Sequence, residues 1–352
     1  MTKRMILIGY GLRDAADRTL TDLPRELREA FRRVDPEAEL VYAPLPLDLD
    51  MQARMRAGSR EELLQYTDRF PPEYLRTLPE AAVLFTLFAP VDVLERAPKL
   101  RWIANAGSGT EQYQAHGILG SRVMLSSSKG VAARSVAEFA MSQLLLLARC
   151  WPARIADQRE HRWRWHTGRD LHTMTLGIVG LGEIGCEAAR MAKAFGMRVV
   201  GTRRKADKVP PNVDRVFPAD ALHAMLAEAD AVLIAAAYSS ETMRFFDRAA
   251  FAAMRPGSFL LNVARGGLVD EEVLADALRS GHLRGAAFDV FAQEPLPADS
   301  PLWDVPNLVI SAHNAVGMAD YSSAAFRRFL DDYARFLRGE PVRGRVDPLT
   351  GY

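Results

Sequence analysis

Arg265, Glu294 and His313 are residue types that can together do acid–base chemistry on a small substrate carrying a carboxylate. A guanidinium grips a carboxylate with two parallel hydrogen bonds and polarises a neighbouring carbonyl group. An imidazole can deliver a proton to an alkoxide as it forms, and a carboxylate can hold that imidazole protonated and oriented. An Arg, a Glu and a His are therefore the groups that the reduction of a 2-keto acid requires.

Each of these three residues also has a purely structural interpretation when it is considered alone. Arg265 could cap a helix, Glu294 could form an ion pair on a loop, and His313 could be a structural histidine. Their positions favour catalysis, because each follows a separate apolar run that predicts a buried strand. The carboxyl ends of parallel strands meet at one edge of an open α/β sheet, and ligands bind at that edge.

A glycine motif, Gly180-Leu181-Gly182-Glu183-Ile184-Gly185, follows the predicted strand at residues 175–179 and opens a predicted helix. Its first glycine permits a tight turn, the second lets a diphosphate approach the backbone, and the third packs the helix against the strand. The motif therefore predicts a dinucleotide site. The residues assigned to the cofactor are Gly180, Leu181, Gly182, Glu183 and Ile184, together with Ala264 and Asp289 at two later strand ends.

The end of the next predicted strand indicates which dinucleotide to expect. An NAD site usually has an acidic residue there, about 20 residues past the motif, to bind the ribose hydroxyls. This sequence has Arg203, Arg204 and Lys205 instead, and guanidinium groups suit a 2′-phosphate. The structural alternative is a solvated basic loop. We expect NADP as the cofactor, bound in part by Arg203 and Arg204, and keep NAD as the alternative.

Two domains are expected, because the 352-residue chain is more than twice as long as a typical domain of ~150 residues. Short apolar runs alternate with amphipathic segments in both halves, which is typical of doubly wound parallel sheets covered by helices. The predicted strands of the first half, expected to be buried on both faces, are residues 5–8, 40–42, 81–85 and 100–103. Those of the second half are residues 175–179, 197–200, 231–234, 258–262, 285–288 and 308–310.

The helical patterns suggest how the two domains are connected. Ser135, with Glu138 three residues later, predicts a capping box at the start of an almost entirely apolar helix over residues 137–149. Such a helix must be buried between domains or between subunits. Residues 319–337 predict an amphipathic helix that could return to the first domain and make it discontinuous, and residues 44–80 predict a variable region of helices and loops.

Composition excludes several other classes of protein. Lys and Arg total 45 against 44 Asp and Glu, so the net charge of +1 gives no overall attraction to nucleic acid or membranes. The apolar run at residues 144–148 is far shorter than the ~18 residues that span a bilayer, and we expect no signal peptide. Cys150 and Cys186 are too few for a disulfide framework or a structural zinc site. We therefore expect a cytoplasmic protein without a metal.

The order of these segments resembles the D-isomer-specific 2-hydroxyacid dehydrogenase family. The likeness runs from Asn105–Gly109, through Ser135–Ala140, to Pro301–Asn307 and the segments of the three candidate catalytic residues. The basic loop at Arg203 is similar to that of the family's NADP-preferring glyoxylate/hydroxypyruvate reductase branch.

The resemblance implies a definite domain organisation. It predicts a flavodoxin-like substrate domain of residues 1–126 and 317–352, and a Rossmann dinucleotide-binding domain of residues 127–316. It implies a homodimer built on the cofactor domains. It also implies that Ser108 and Gly109 present backbone N–H groups to the substrate carboxylate, which Arg265 binds as well.

The activity expected from the resemblance is the NADPH-dependent reduction of a 2-keto acid, of the glyoxylate or hydroxypyruvate type, to a D-2-hydroxy acid. The hydride would come from C4 of the nicotinamide and the proton from His313. One alternative is a non-catalytic NAD(P)-sensing protein, because a fold alone does not fix function; a sensor, however, needs no proton donor. Another is phosphite dehydrogenase, which keeps the Arg, Glu and His.

A segment rich in aromatic residues precedes the glycine motif and contains His161, Trp163, Trp165 and His166. A pair of histidines suggests a metal, but no acid or Cys completes a ligand set with convincing spacing. We therefore assign these residues to a dimer interface or to the rim of the active site.

Overall fold

The computed structural model of the chain divides into two compact units, Met1–Val131 with Met318–Tyr352 and Ala132–Gly317. The residues that the structure describes are 4–12, 19–46, 51, 54–55, 58–204, 208–239, 241–318 and 320–348. Each unit contains a parallel sheet and helices, so both are α/β folds. Among the helices described, none combines the length and apolar character that crossing a membrane requires.

The first unit contains a five-stranded sheet within the described residues, and all neighbouring strands in it are parallel. In spatial order the strands are β2 (Glu39–Tyr42), β1 (Met5–Ile8), β3 (Ala81–Thr86), β4 (Trp102–Asn105) and β5 (Met124–Ser127). This 2-1-3-4-5 order is that of flavodoxin-like folds. The predicted boundary at residue 126 falls within β5, and the unit extends to Val131.

Strand β2 corrects the expectation that the strands of this sheet are buried on both faces. Glu39 is exposed and Leu40, Val41 and Tyr42 are only partly buried, whereas β4 is buried along its whole length. Among the described strands β2 pairs only with β1, because it lies at the edge of the sheet. The apolar run predicted the strand, but it did not indicate that the strand lies at the edge of the sheet.

Short helices and turns connect these strands. The helices are α1 (Arg25–Val34), α2 (Arg60–Leu64), α3 (Pro72–Thr77) and α4 (Val93–Arg96). The described part of the region 44–80 consists of short helices, 3₁₀ turns and loops, as predicted. Residues 47–50, 52–53 and 56–57 of that region lie outside the described residues.

The second unit contains a seven-stranded sheet within the described residues, again parallel throughout. In spatial order the strands are β12 (Leu308–Ile310), β11 (Leu283–Phe288), β10 (Ser258–Asn262), β9 (Ala231–Ile234), β6 (Thr175–Val179), β7 (Arg198–Arg203) and β8 (Arg215–Pro218). The strand order reverses between β6 and β9, as it does at the ligand-binding switch point of Rossmann folds. All predicted strands of this unit are present, and β8 is an additional edge strand.

The helices of the second unit are α5 (Ala133–Ala148), α6 (Trp151–Arg159), α7 (Glu183–Ala194), α8 (Leu222–Leu226), α9 (Arg248–Ala253) and α10 (Glu271–Arg279). Helix α5 is buried along one side, at Val136, Ala140 and Leu144, while Glu138 and Ser142 are exposed. It is therefore less evenly buried within this unit than its apolar sequence predicted.

The predicted capping box at Ser135 and Glu138 is wrong. Helix α5 begins earlier, at Ala133, and no side chain caps its first turn. The Ser135 hydroxyl instead donates to the backbone carbonyl of Val316 at 2.9 Å, and Glu138 Oε1 accepts from Arg134 Nε at 3.0 Å. The Ser135 hydroxyl, which was predicted to cap the helix, therefore forms a hydrogen bond to a segment of the unit that is far away in the sequence.

The last helix, α11 (Tyr321–Leu337), belongs to the first unit. The ring of Phe329 lies 4.9 Å from that of Phe85 and 5.5 Å from that of Trp102, measured between centroids. The Tyr333 hydroxyl donates to Asp35 Oδ2 at 2.7 Å. These contacts confirm that the first unit is discontinuous; residue 319, where the helix was predicted to begin, lies outside the described residues.

Candidate active site

The loops that follow β10, β11 and β12 lie at the carboxyl edge of the second sheet, and we call them together the catalytic edge. Arg265 follows β10, Glu294 follows β11 and His313 follows β12. Because β10 pairs with β11 and β11 with β12, neighbouring strands carry the three loops.

Glu294 and His313 form a hydrogen-bonded pair. Glu294 Oε2 lies 2.6 Å from His313 Nδ1, and the two side chains are 26% and 28% exposed. The second carboxylate oxygen, Oε1, accepts the backbone N–H of Phe291 at 3.0 Å. An ionised carboxylate only accepts hydrogen bonds, so with Glu294 ionised the donor in this pair is Nδ1 of His313.

Asp289 holds the loop that carries His313. Its side chain is 2% exposed and accepts the Ser311 hydroxyl at 2.7 Å and the N–H groups of Asn314 and Ala315 at 3.0 and 2.9 Å. The Asp289 backbone carbonyl accepts the N–H of His313 at 2.8 Å. His313 itself has a φ of +50°, a left-handed conformation that a non-glycine residue keeps only when its surroundings hold it.

Arg265 lies on a turn that is organised by a buried amide. Asn262, at the end of β10, is fully buried; its Nδ2 donates to the Arg265 carbonyl at 3.0 Å and its Oδ1 accepts the Ala264 N–H at 3.0 Å. The Arg265 side chain is partly buried, and its Nη1 donates to the Ala264 carbonyl at 2.7 Å. The turn therefore positions the start of the Arg265 side chain.

The glycine motif fits a dinucleotide diphosphate. Gly180 has a φ of +98°, and an added Cβ would lie 2.8 Å from the Ala235 carbonyl oxygen, so only glycine suits this turn. A Cβ at Gly185 would overlap the Gly180 carbonyl oxygen. At Gly182, by contrast, an added Cβ would meet no atom of the described chain within 4 Å. That space lies at the N-terminus of α7, where backbone N–H groups favour an anion.

The other residues of the motif have different surroundings. Leu181 is buried, and its N–H donates to the Thr202 carbonyl at 3.1 Å, so the side chain packs inside the unit. Glu183 and Ile184 form the first turn of α7, with Glu183 exposed.

Arg203 and Arg204 lie at the carboxyl end of β7. Arg203 is the last residue of the strand, and both side chains are exposed. Lys205, the third predicted cation, lies outside the described residues. The two arginines thus lie at the carboxyl end of the strand next to the one that leads into the glycine turn.

A sequence profile described as "D-isomer specific 2-hydroxyacid dehydrogenase, NAD binding domain" matches residues 141–315. The chain is also 33% identical over 326 residues to glyoxylate/hydroxypyruvate reductase B of Klebsiella pneumoniae, in an alignment that covers 88% of this chain and 98% of that protein. The chain belongs to the D-isomer specific 2-hydroxyacid dehydrogenase family. The second unit is the NAD-binding domain of this family, because the matched residues lie within it.

Two further proteins that are similar to this chain have different lengths and different names from each other. D-3-phosphoglycerate dehydrogenase of Mycobacterium tuberculosis is 34% identical over 284 residues, which are 78% of this chain but 52% of that protein. The chain therefore spans about half the length of such relatives. The crystal structure of an NADPH-dependent glyoxylate/hydroxypyruvate reductase from Sinorhizobium meliloti, in complex with NADP and sulfate, matches with a TM-score of 0.75 at 26% identity, covering 99% of this chain and 100% of that one.

Ser108 and Gly109 belong to the first unit, outside the part that the dehydrogenase profile matches. They follow β4, and Asn105 Nδ2 donates to the carbonyl of Gly109 at 2.6 Å and to that of Gly107 at 3.0 Å. Tyr321 donates its hydroxyl to the Ala106 carbonyl at 2.8 Å. The loop is thus held by its own unit, and its binding of substrate stays a prediction.

Among the histidines between α6 and the glycine motif, His166 pairs with an acidic residue. His166 Nε2 lies 2.7 Å from Asp157 Oδ2, and this hydrogen bond, with one from Arg162, lowers the pKa of Asp157. Within the described residues no group of three or more His, Cys, Asp or Glu side chains could hold a metal ion. Trp163 and Trp165 are fully exposed.

Sequence reasoning missed two residues that position the loops of the catalytic edge. Asn262 was not singled out, although a buried amide at the end of a strand is a signal for a structured turn. Asp289 was assigned only to the cofactor, whereas its carboxylate holds the His313 loop. Its assignment to the cofactor stays a prediction, like that of Ala264.

Proposed function

We propose that this chain is an NADPH-dependent reductase that converts a 2-keto acid into a D-2-hydroxy acid. The observation that carries the proposal is the hydrogen bond of 2.6 Å between Glu294 Oε2 and His313 Nδ1, on the sheet edge that also bears Arg265. An imidazole paired with a carboxylate is a proton donor, and a guanidinium on the same edge is a group that binds carboxylates.

Arg265 binds the substrate in this proposal. Its guanidinium grips the carboxylate of the keto acid and polarises the neighbouring carbonyl, whose oxygen becomes negative in the transition state. The backbone N–H groups of Ser108 and Gly109 are proposed to bind the same carboxylate. Arg265 suits this role because Asn262 fixes the turn from which its side chain extends.

His313 supplies the proton. With Nδ1 hydrogen-bonded to Glu294, the imidazolium delivers its proton from Nε2 to the forming alkoxide. Glu294 keeps its orientation because its other oxygen holds the Phe291 N–H, so it aligns the ring and stabilises the positive charge. A nicotinamide cofactor, when bound, supplies the hydride.

The cofactor is proposed to be NADPH. Gly180, Gly182 and the N-terminus of α7 would hold the diphosphate, because the space at Gly182 is free of atoms of the described chain. Arg203 and Arg204 would bind the 2′-phosphate, since they stand at the strand end where an NAD site has its acidic residue. The relative from Sinorhizobium meliloti binds NADP, which supports this choice.

The names of the relatives support a small 2-keto acid as the substrate. Glyoxylate and hydroxypyruvate are named for the relatives from Klebsiella pneumoniae and Sinorhizobium meliloti. D-3-phosphoglycerate is named for the longer relative from Mycobacterium tuberculosis. A panel of these compounds therefore spans the substrates that the family suggests.

The test is a spectrophotometric assay of NADPH and NADH oxidation with glyoxylate, hydroxypyruvate and phenylpyruvate, and of NADP and NAD reduction with D-3-phosphoglycerate and with phosphite. We expect reduction of at least one keto acid, faster with NADPH, and, for hydroxypyruvate or phenylpyruvate, whose products are chiral, formation of the D product on a chiral column. His313→Ala is the matched control for background reduction. NADPH binding without turnover of any keto acid would instead support the sensor, and turnover of phosphite would support phosphite dehydrogenase.

We also propose that the protein is a homodimer formed through the second unit. Trp163 and Trp165 are fully exposed, and Trp151 and Ile155 of the nearby α6 are about half exposed. Aromatic side chains are enriched in protein interfaces, and a concentration of them on a surface marks a binding site. The occupant proposed here is the same surface of a second copy.

Multi-angle light scattering tests the dimer. We expect twice the 39.1 kDa chain mass for the wild type and a shift toward monomer for a Trp163→Ser, Trp165→Ser double variant. Trp303→Ser is the control, because Trp303 is half exposed elsewhere in the second unit. A monomeric wild type would contradict the proposal.

Cys150 and Cys186 are both free thiols, which suits the cytoplasmic location that we also propose.

A further inference from the structure

The backbone at Phe291 and Ala292 is a junction between loops of the catalytic edge. The Phe291 N–H donates to Glu294 Oε1 at 3.0 Å, and the Ala292 N–H donates to Glu271 Oε1 at 2.7 Å. A Cβ added at Gly266 would overlap the carbonyl carbon of Phe291 and the nitrogen of Ala292. The carboxylates of Glu294 and Glu271 and the backbone of Gly266 therefore all lie against the consecutive residues Phe291 and Ala292.

Glu271 is the one of the two carboxylates that the proposed chemistry does not yet use. It is the first residue of α10 and is partly buried. Its Oε1 accepts a hydrogen bond from the N–H of Ala292, which lies on the loop after β11 and not in α10. Burial raises the pKa of Glu271, and the nearby carboxylates of Asp270 and Glu294 raise it further. A carboxylate in such a position is costly to bury unless it is hydrogen-bonded.

We propose that Glu271 is a positioning residue for the proton donor. Its carboxylate holds the Ala292 N–H, fixes the turn that begins at Phe291, and so keeps Glu294 in the place from which it orients His313. This inference rests on the proposed function, because it takes His313 to be the proton donor. The alternative is that Glu271 serves only the stability of α10, to whose N-terminus a negative charge is favourable.

The junction also predicts which kinetic constant changes. Glu271 contacts the loop of Glu294, so its loss disturbs proton delivery and lowers kcat. The loop of Arg265 reaches the junction separately, through the packing of Gly266 on the Phe291–Ala292 backbone. Loss of the Glu271 carboxylate leaves that packing in place, so the KM for the keto acid should change little.

The first experiment compares Glu271→Ala and Glu271→Gln in the full-length protein. We expect Glu271→Ala to lower kcat by about 10- to 100-fold, the size of effect that a small misplacement of catalytic groups produces, with the KM within about twofold. Glu271→Gln should recover most of kcat, because its amide oxygen can still accept the Ala292 N–H. Glu272→Gln, at the exposed neighbouring position of α10, is the matched control and should behave as wild type.

A double-mutant cycle separates positioning from stability. If Glu271 acts through the Glu294–His313 pair, Glu271→Ala should cost nothing further in a His313→Ala background. An undiminished loss in that background would overturn the proposal. Should Glu271→Ala not fold, Glu271→Leu is used instead, because it fills a similar volume without an acceptor for the N–H.

A second readout needs no catalysis. The ring ¹⁵N resonances of His313 can be assigned among the seven histidines by their loss in His313→Ala. In cofactor-free protein, Glu271→Ala should move these resonances and Glu272→Gln should not. Unchanged resonances in Glu271→Ala would overturn the link between Glu271 and His313. A wild type that reduces no keto acid would refute the proposed function, and the resonances would still decide whether Glu271 positions His313.

Discussion

The catalytic edge and the carboxyl end of β7 hold charged side chains in opposite ways. Glu294 and His313 are about three-quarters buried and are hydrogen-bonded to each other. The buried Asp289 holds the loop of His313 through backbone N–H groups. Arg203 and Arg204, by contrast, are exposed at the end of a strand.

This difference indicates how each region achieves its effect. At the catalytic edge the hydrogen bonds fix geometry, and the efficiency of the proposed proton transfer depends on geometry. At the end of β7 the arginines contribute charge, and salt screens charges that are exposed to solvent. Changes at the catalytic edge should therefore have large effects that are insensitive to salt, and changes at β7 smaller effects that are sensitive to it.

Loss of the proposed proton donor should have the largest effect. His313→Ala should lower kcat for keto-acid reduction by roughly 10²–10⁴-fold, equally at low and high salt, with the Kd for NADPH unchanged by fluorescence titration. A loss in kcat of less than about threefold, far below the effect of losing a general acid, would mean that His313 has only a structural role.

Arg265→Lys tests the other half of the catalytic edge. Lysine keeps the charge but cannot make a bidentate hydrogen bond, which contributes about 1.5–3 kcal/mol when charged groups are involved. We expect kcat/KM for the keto acid to fall by roughly 10- to 100-fold, with a raised KM and an unchanged Kd for NADPH. Near-normal kinetics would return Arg265 to a helix-capping role.

Arg203→Asp tests the end of β7. One charge-assisted hydrogen bond to a 2′-phosphate should favour NADPH over NADH by about tenfold in kcat/KM, and the variant should reverse this order. The preference of the wild type should shrink as salt rises from 0.05 to about 0.5 M. Arg198→Asp, at the opposite end of the same strand, is the control. Equal efficiency of the wild type with both cofactors contradicts the assignment.

The smallest expected effect concerns stability next to the catalytic edge. Asp270 Oδ1 accepts the N–H groups of Glu272 and Val273 at 3.2 and 3.3 Å and caps α10. Its Oδ2 accepts from Arg244 at 2.5 Å, and this hydrogen bond lowers the pKa of Asp270. Asp270→Ala should lower the free energy of unfolding by about 0.5–2 kcal/mol at neutral pH.

The pH dependence of this loss has a definite sign. Because the folded pKa of Asp270 lies below the unfolded value of about 3.9, the ionised side chain stabilises the fold above that value. The contribution disappears as the pH falls through the folded pKa. In urea titrations the difference between wild type and Asp270→Ala should therefore shrink toward acid pH; a constant difference would show that the charge plays no part.

Much of the fold could be predicted because local patterns and tertiary structure agree. The strand runs and the glycine motif indicated two parallel sheets, and the conformation of Gly180 agrees with a turn that only glycine tolerates. Strand β8 was missed because Arg215 and Pro218 leave only two apolar residues between them. Ser135 was misjudged because its partner, the Val316 carbonyl, is distant in the sequence.

The candidate site could be predicted in part for the same reason. Arg265, Glu294 and His313 follow apolar runs, so their order along the chain indicated one sheet edge. The groups that position them act through backbone atoms: Asp289 holds N–H groups near His313, and Glu271 holds the N–H of Ala292. Sequence patterns do not reveal such contacts, because any residue can provide the backbone partner.

The return of α11 to the first unit has a consequence for the order in which the chain can fold during synthesis. Phe85 and Trp102 are made early, but the aromatic rings of α11 that cover them come from residues 321–337. The second unit, Ala132–Gly317, is translated in between, at about 5–20 residues per second. The first sheet therefore waits roughly 10 to 40 s for its last helix, and the unit that begins first is the one that is completed last.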